Sequence, residues 1–405
     1  MKQAIIQQAV PGVTGNQDFT DAIFSSDVKA AIFLMSSATA THTNTADFRT
    51  AIGLLDGTNQ SVAAIYGQDA TVGASNWRRN HNAANCVGQT ADSSTFTVLG
   101  AGSFISNGAR VNYSAVTGSA LVTCILIGGS DVTAAKLSCD FTGGGAETKT
   151  VNHGGSSAPT AIIAVSHYGT SASTTSRGSI GMGFYANGLY GSNNLDRLDA
   201  QATEQAQGWV ATDLVLRDIG SSYGVTISNV GSTSFDVTTS ADASTDRVDF
   251  LAIWITNGAA KAGTFTTNTT TGSHVAVSGM SKKPSVLLTL PSRQTATGLD
   301  NTDGGGVFGV GAAVNNNGTT QYGLVVGSSD DAAATQVNKS QASNSQMVRI
   351  LNVSGAAIVG ETVQSWDNGG VTANAATADG TAHLIPYLAM GNGSGGGAGL
   401  LLGVG

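Results

Sequence analysis

The sequence predicts an all-β chain of three tandem antiparallel β-sandwich units, jelly-roll-like in outline. Three observations carry that expectation. First, the composition favours short strands and tight turns. Gly accounts for 54 of 405 residues and Pro for only five; Thr and Val suit a pleated surface, while Gly and Asn supply the positive φ that hairpin turns need. Second, turn signals recur about every 8–12 residues with no sustained 3.6-residue periodicity, the pattern of a sandwich. Third, the chain repeats itself with a period of about 130 residues, far above the 20–45 of a solenoid.

The repeat is read from matching strands. Lys29-Ala-Ala-Ile-Phe-Leu-Met35, Pro159-Thr-Ala-Ile-Ile-Ala-Val165 and Pro284-Ser-Val-Leu-Leu-Thr-Leu290 start 130 and 125 residues apart, each after a small polar turn. Pro159 and Pro284 open their strands, where a missing N–H is tolerated. Lys136 and Lys261 each stand 23 residues before the proline, and Lys2 begins the equivalent stretch of the first unit. About twenty residues after each apolar strand comes a glycine-interrupted one: Ile52-Gly-Leu-Leu55, Ile180-Gly-Met-Gly-Phe184 and Val307-Phe-Gly-Val-Gly311. Each unit closes on an apolar strand and turn, at Thr123–Gly129, Leu251–Gly258 and Leu384–Gly393. The units are therefore residues 1–129, 130–258 and 259–395, followed by a Gly/Leu-rich tail, 396–405. The best helical candidate, Leu195 to Gln207, reads as a loop or one short helix.

In the closing strand of the second unit both faces are apolar, Phe250, Ala252 and Trp254 on one and Leu251, Ile253 and Ile255 on the other. A half-exposed strand alternates with polar residues, so the second face needs cover. A neighbouring unit, another subunit, or long loops folded over a thick core would each provide it. Leu251, Ile253, Ile255 and, in the third unit, Tyr387 are the interface candidates. Leu400, Leu401 and Leu402, set among glycines in the tail, read as a peg that docks on a neighbour.

The order x-P-x-x-Φ-Φ, a glycine-punctuated strand, and a closing Φ-x-Φ-G-G running into S/T-D-x-T-x-A-K resembles a β-sandwich repeat of virion and surface proteins of tailed bacteriophages and their bacterial hosts. In the second unit the matching residues are Thr150-Val-Asn-His153, Ala158-Pro-Thr-Ala-Ile-Ile163, Ser179-Ile-Gly-Met-Gly183 and the junction Gly128-Gly-Ser-Asp-Val-Thr-Ala-Ala-Lys136. The chain departs from the pattern at Ser157-Ala158 and Lys282-Lys283, where Gly-Phe is usual, and at Lys29, which replaces the proline. The resemblance implies a structural or adhesive role on a particle exterior and supplies no catalytic residues.

The chemistry visible in the residues is sparse. Charged residues are 11 % of the chain against about 25 % in an ordinary soluble protein, and the formal net charge is −8 with the basic residues scattered. That gives no footprint for a phosphate backbone. There is no apolar run of about 18 residues for a membrane span, and Met1 to Val13 is too short and polar for a secretory signal. Cys86, Cys124 and Cys139 lack ligand or disulfide spacing and read as buried thiols. A Gly-x-Ser-x-Gly match at Gly220–Gly224 runs into the strand Val225–Ser228 instead of the helix a nucleophile elbow needs. The six histidines are single, and His153 and His274 read as turn-stabilising. Asp300–Asp303 and Ser328–Asp331 put carboxylates in Gly-rich loops without EF-hand order and read as solvated turns.

Trp77-Arg78-Arg79 is the one clustering of an aromatic with guanidinium groups. It reads either as a strand with an inward Trp and two solvated arginines, or as a contact that stacks a sugar ring or clasps a carboxylate. Trp209, Trp254 and Trp366 sit amid apolar strand residues and read as core. No cofactor or metal is expected. The function expected is non-enzymatic: a structural protein on the exterior of a tailed-phage virion, made in the bacterial cytoplasm, either capsid decoration or a tail-fibre or baseplate component. Its partners would be other virion proteins and itself, with no nucleic acid or membrane. The alternative is a glycan-binding adhesin or receptor-binding protein that meets a host surface glycan.

Overall fold

A computed structural model describes residues 1–392 except 44, 69–76, 92–94, 118, 168–176, 199–205, 214–215, 219–222, 241–245, 301–304, 330–337 and 353. The described residues form strands and turns with no helix. In the first unit these are β1 (Lys2–Ala9), β2 (Gly15–Thr20), β3 (Val28–Ser36), β4 (Thr45–Ala46), β5 (Phe48–Leu55), β6 (Gln60–Gly67), β7 (Trp77–Asn82), β8 (Val87–Thr90), β9 (Phe96–Ile105), β10 (Gly108–Val116) and β11 (Leu121–Gly128). The second has β12 (Val132–Asp140), β13 (Thr148–Asn152), β14 (Ala161–His167), β15 (Arg177–Ala186), β16 (Leu189–Leu198), β17 (Ala206–Ala211), β18 (Leu216–Asp218), β19 (Tyr223–Ser228), β20 (Ser234–Thr239) and β21 (Arg247–Ile255). The third has β22 (Ala259–Thr266), β23 (Gly272–Val277), β24 (Val286–Thr289), β25 (Gly298–Asp300), β26 (Gly305–Asn315), β27 (Thr319–Ser329), β28 (Asn338–Ser343), β29 (Val348–Leu351), β30 (Ala357–Asp367), β31 (Gly370–Thr377) and β32 (Leu384–Gly391).

Each unit is a sandwich of a large sheet and a four-stranded one, and the strand order is the same in all three. The large sheets run β1-β11-β3-β5-β6-β7, β12-β21-β14-β15-β16-β17 and β22-β32-β24-β26-β27-β28; the small ones run β2-β10-β9-β8, β13-β20-β19-β18 and β23-β31-β30-β29. First pairs with last and second with second-last, so the outer strands wrap as in a jelly roll, while the middle strands of the large sheet form a meander. A two-residue Asn-Gly hairpin closes it in the second unit, where Asn187 and Gly188 adopt φ of 52° and 77° between β15 and β16. Of the helical candidate at 195–207, Leu195–Leu198 end β16 and Ala206-Gln207 begin β17, where cross-strand pairing fixes the backbone, and 199–205 lie outside the described residues.

The large sheets are buried on both faces. In β3, Ala31, Phe33 and Met35 point into the first unit's own sandwich, whereas Ile32 and Leu34 point the other way into a second core. That second core is shared. Ile52 and Ile127 of the first unit, Ile163, Leu251 and Ile253 of the second, and Leu288, Phe308 and Met390 of the third belong to one apolar cluster. The units are thus not a row. All three large sheets face a common centre, and contacts join the first unit to the third as well as each to the second.

A shared core couples the units energetically. Ile253→Ala leaves a cavity where the three sheets meet, at a cost of about 2–5 kcal/mol. Calorimetry of the full chain should show one transition moved to lower temperature, whereas three independent sandwiches would give one early transition and two unchanged.

Candidate functional site

The seams between units are built from corresponding elements of each unit. The turn after the first meander hairpin reaches the opening strand of the next unit. The Asp56 carboxylate accepts from Lys136 N at 2.7 Å, Asn187 Nδ2 donates to Ala260 O at 3.1 Å, and Asn315 O accepts from Gln3 Nε2 at 2.8 Å. Three contacts running first to second, second to third and third to first close a ring. At a further junction, Asn392 Nδ2 of the third unit donates to Asp131 Oδ2 of the second at 2.9 Å.

Strand exchange runs round the ring in the opposite sense. β4 of the first unit pairs with β28, the edge strand of the third, and β25 of the third unit pairs with β17, the edge strand of the second. The neighbouring loop residues reinforce each graft. Ser37 and His42 bond Ser340 and Ser343 at 2.8 Å each, and Gln294 Oε1 and Pro291 O accept from Val210 N and Asn193 Nδ2 at 2.9 and 2.7 Å. Such grafts satisfy the edge N–H and C=O groups that would otherwise invite aggregation. Burial and the nearby Arg349 guanidinium hold the His42 imidazole below its ordinary pKa.

A charged seam lies between the first and second units. Asp249 on β21 is buried and accepts from His81 Nε2 on β7 at 2.8 Å and from Lys136 Nζ on β12 at 2.9 Å; Arg247 Nε stands 3.4 Å away. Burial pushes the Asp249 carboxyl up, but the His81 hydrogen bond and the Lys136 charge outweigh it and hold the group well below the usual carboxylate range. The equal spacing of Lys136 and Lys261 from their prolines does not make them equivalent. Lys136 pairs with Leu251 and shares its central face, whereas Lys261 pairs with Ala389 on the sandwich face and reaches the Ser278 carbonyl. A one-residue offset in a strand reverses the face.

The other residues singled out by sequence fall as follows. Trp77 is fully buried in the common core, edge-on to Phe48 with ring centroids 4.8 Å apart, and offers no face to a ligand. Arg79 is buried beside it, so the pair of solvated arginines is also not found; Arg78 is half-buried and its Nη1 donates to Trp77 O at 3.0 Å. Leu251, Ile253 and Ile255 lie in the common core. Tyr387 does not: strand alternation turns it into the third unit's own sandwich beside Phe265, while Leu388 and Met390 face the centre. Leu400, Leu401 and Leu402 lie outside the described residues, as do Ser221 and Ser222 of the Gly-x-Ser-x-Gly match and most of the two acidic loops. The three cysteines are buried free thiols, and burial pushes Cys139 up to about 11.

His153 stabilises its turn, with Nδ1 accepting from Gly155 N at 3.1 Å and Nε2 donating to Gly231 O at 3.2 Å. His274 is not in a turn; from β23 it bonds Glu361 at 3.1 Å. Trp366 is buried, whereas Trp209 and Trp254 are only half-buried. Trp254 lines a groove of about 550 Å³ with Thr133, Ala134, Ala135, His153, Thr256 and the turn Gly154–Ser157. Reading Trp254 as core missed this. The signal was present, because its strand is the one closing strand with an aromatic near its end.

Compared with known proteins, the chain matches no family model and no curated sequence.

Proposed function

We propose that the chain is a non-enzymatic structural protein of the exterior of a tailed-phage particle, serving as capsid decoration or as part of the tail. The observation that carries this reading is the closed ring: three sandwiches of one chain joined through a common core and through strands grafted from unit to unit. Tethering the three units in one chain makes each seam an intramolecular contact with a high effective concentration, so the ring does not come apart on dilution. That suits a component that must persist on a particle without exchange. The two-faced burial of the large sheets also accounts for the low charge, since much of the chain meets protein on both sides. The resemblance of the repeat to virion and surface proteins of tailed phages and their bacterial hosts supports the proposed location.

Quantitative mass spectrometry of purified particles tests it. Many copies per particle are expected of a decoration protein and a few of a tail component; absence from the particle overturns the proposal.

A further inference from the structure

The three units solve the same packing problem at the end of their closing strands, and one solves it differently. Pairing in the large sheets makes Ile127, Ile253 and Met390 equivalent, because they pair with Ala30, Ala161 and Val286 and all face the common core. The next residues are then Gly128, Trp254 and Gly391. Both glycines are required. A Cβ on Gly128 would stand 2.2 Å from Asp27 O, and one on Gly391 2.1 Å from Lys283 O, because the turn before the proline-type strand crosses directly over the position. In the second unit an indole occupies that place, and the crossing turn Gly154–Ser157 lies around it.

The indole is held rather than loosely accommodated. Trp254 Nε1 donates to Ser157 O at 2.7 Å, the His153 ring lies 5.0 Å away at 59°, and Gly155 is so close that its own Cβ would stand 2.9 Å from the indole. His153 is fixed in turn by its two backbone bonds. A half-buried Trp, pinned at its only polar atom, presents a rigid apolar surface to the groove. Around it stand the exposed hydroxyl residues Thr133, Ser156, Ser157 and Thr256, and no Asp, Glu, Lys or Arg lines the groove. Its volume lies within the range of small-molecule sites, about 300–1,000 Å³.

We infer that this groove is a binding site for a neutral saccharide. The C–H face of a sugar ring is apolar and packs on an indole, while its hydroxyls both donate and accept and so match Ser and Thr side chains. A charged ligand would find no counter-ion there. The inference does not rest on a particle location, and it puts the sugar contact at Trp254 in place of Trp77.

The test is titration of the full chain with maltohexaose, cellohexaose, a mannan fragment and a sialylated trisaccharide, followed by tryptophan fluorescence and calorimetry. At least one neutral oligosaccharide is expected to bind at millimolar concentration or below, with the sialylated one weaker. Trp254→Gly, which installs the residue of the other two units, should weaken binding at least tenfold. Should that variant fail to fold, Thr133→Arg decides, since it fills the groove from an exposed position. No neutral binding at 10 mM roughly, preference for the anionic glycan, or undiminished binding by the folded variants would each overturn the assignment.

Discussion

Asp249→Ala should lower the stability of the whole ring by about 3–5 kcal/mol, because it removes the one carboxylate on which His81, Lys136 and Arg247 converge in a buried seam. Urea unfolding at neutral pH measures it, and a loss below about 1 kcal/mol would refute the account. The pH dependence has a definite sign. The folded-state pKa of Asp249 is depressed, so its contribution is complete above the unfolded carboxylate value of about 3.9 and is lost as pH falls through the folded value. The gap between the natural chain and Asp249→Asn should therefore narrow as pH falls below about 4.

The second large effect concerns two glycines inside strands. A Cβ on Gly53 would stand 1.7 Å from the Cys86 carbonyl oxygen, and one on Gly311 1.7 Å from that of Met347. In both units the segment entering the small sheet passes directly over the meander strand. Backbone cannot swing aside as a side chain can, so Gly53→Ala and Gly311→Ala should each cost about 3 kcal/mol or more, the upper end for overpacking. Gly231→Ala is the control. Its nearest neighbour would be 3.6 Å away, and the expected change in urea midpoint corresponds to less than about 0.5 kcal/mol.

These glycines also mark how far the sequence could be read. Their recurrence in the second meander strand was visible as a punctuation of the repeat, but the carbonyl that requires them comes from a strand entry more than thirty positions away. Trp77 shows the opposite case. Its neighbours Arg78 and Arg79 left an inward Trp and a surface contact both open, and the common core, built from residues of all three units, takes the indole inward and buries it completely. Trp254 was legible as an aromatic among apolar residues; its meaning appeared only when strand pairing set it against Gly128 and Gly391.

By itself the sequence determined what is local. Strand and turn alternate because Thr, Val, Gly and Asn each favour a short stretch of backbone; the repeat gives three like units, and the apolar residues on both faces of β21 require cover on both sides. Which partner supplies that cover was decided by the tertiary structure alone. His81 and Asp249 are 168 positions apart, and Gln3 and Asn315 are 312 apart. The hydrophobic effect that drives such burial is non-directional and rewards any apolar partner equally. Only the closed geometry of three sheets selected the neighbouring units of the same chain.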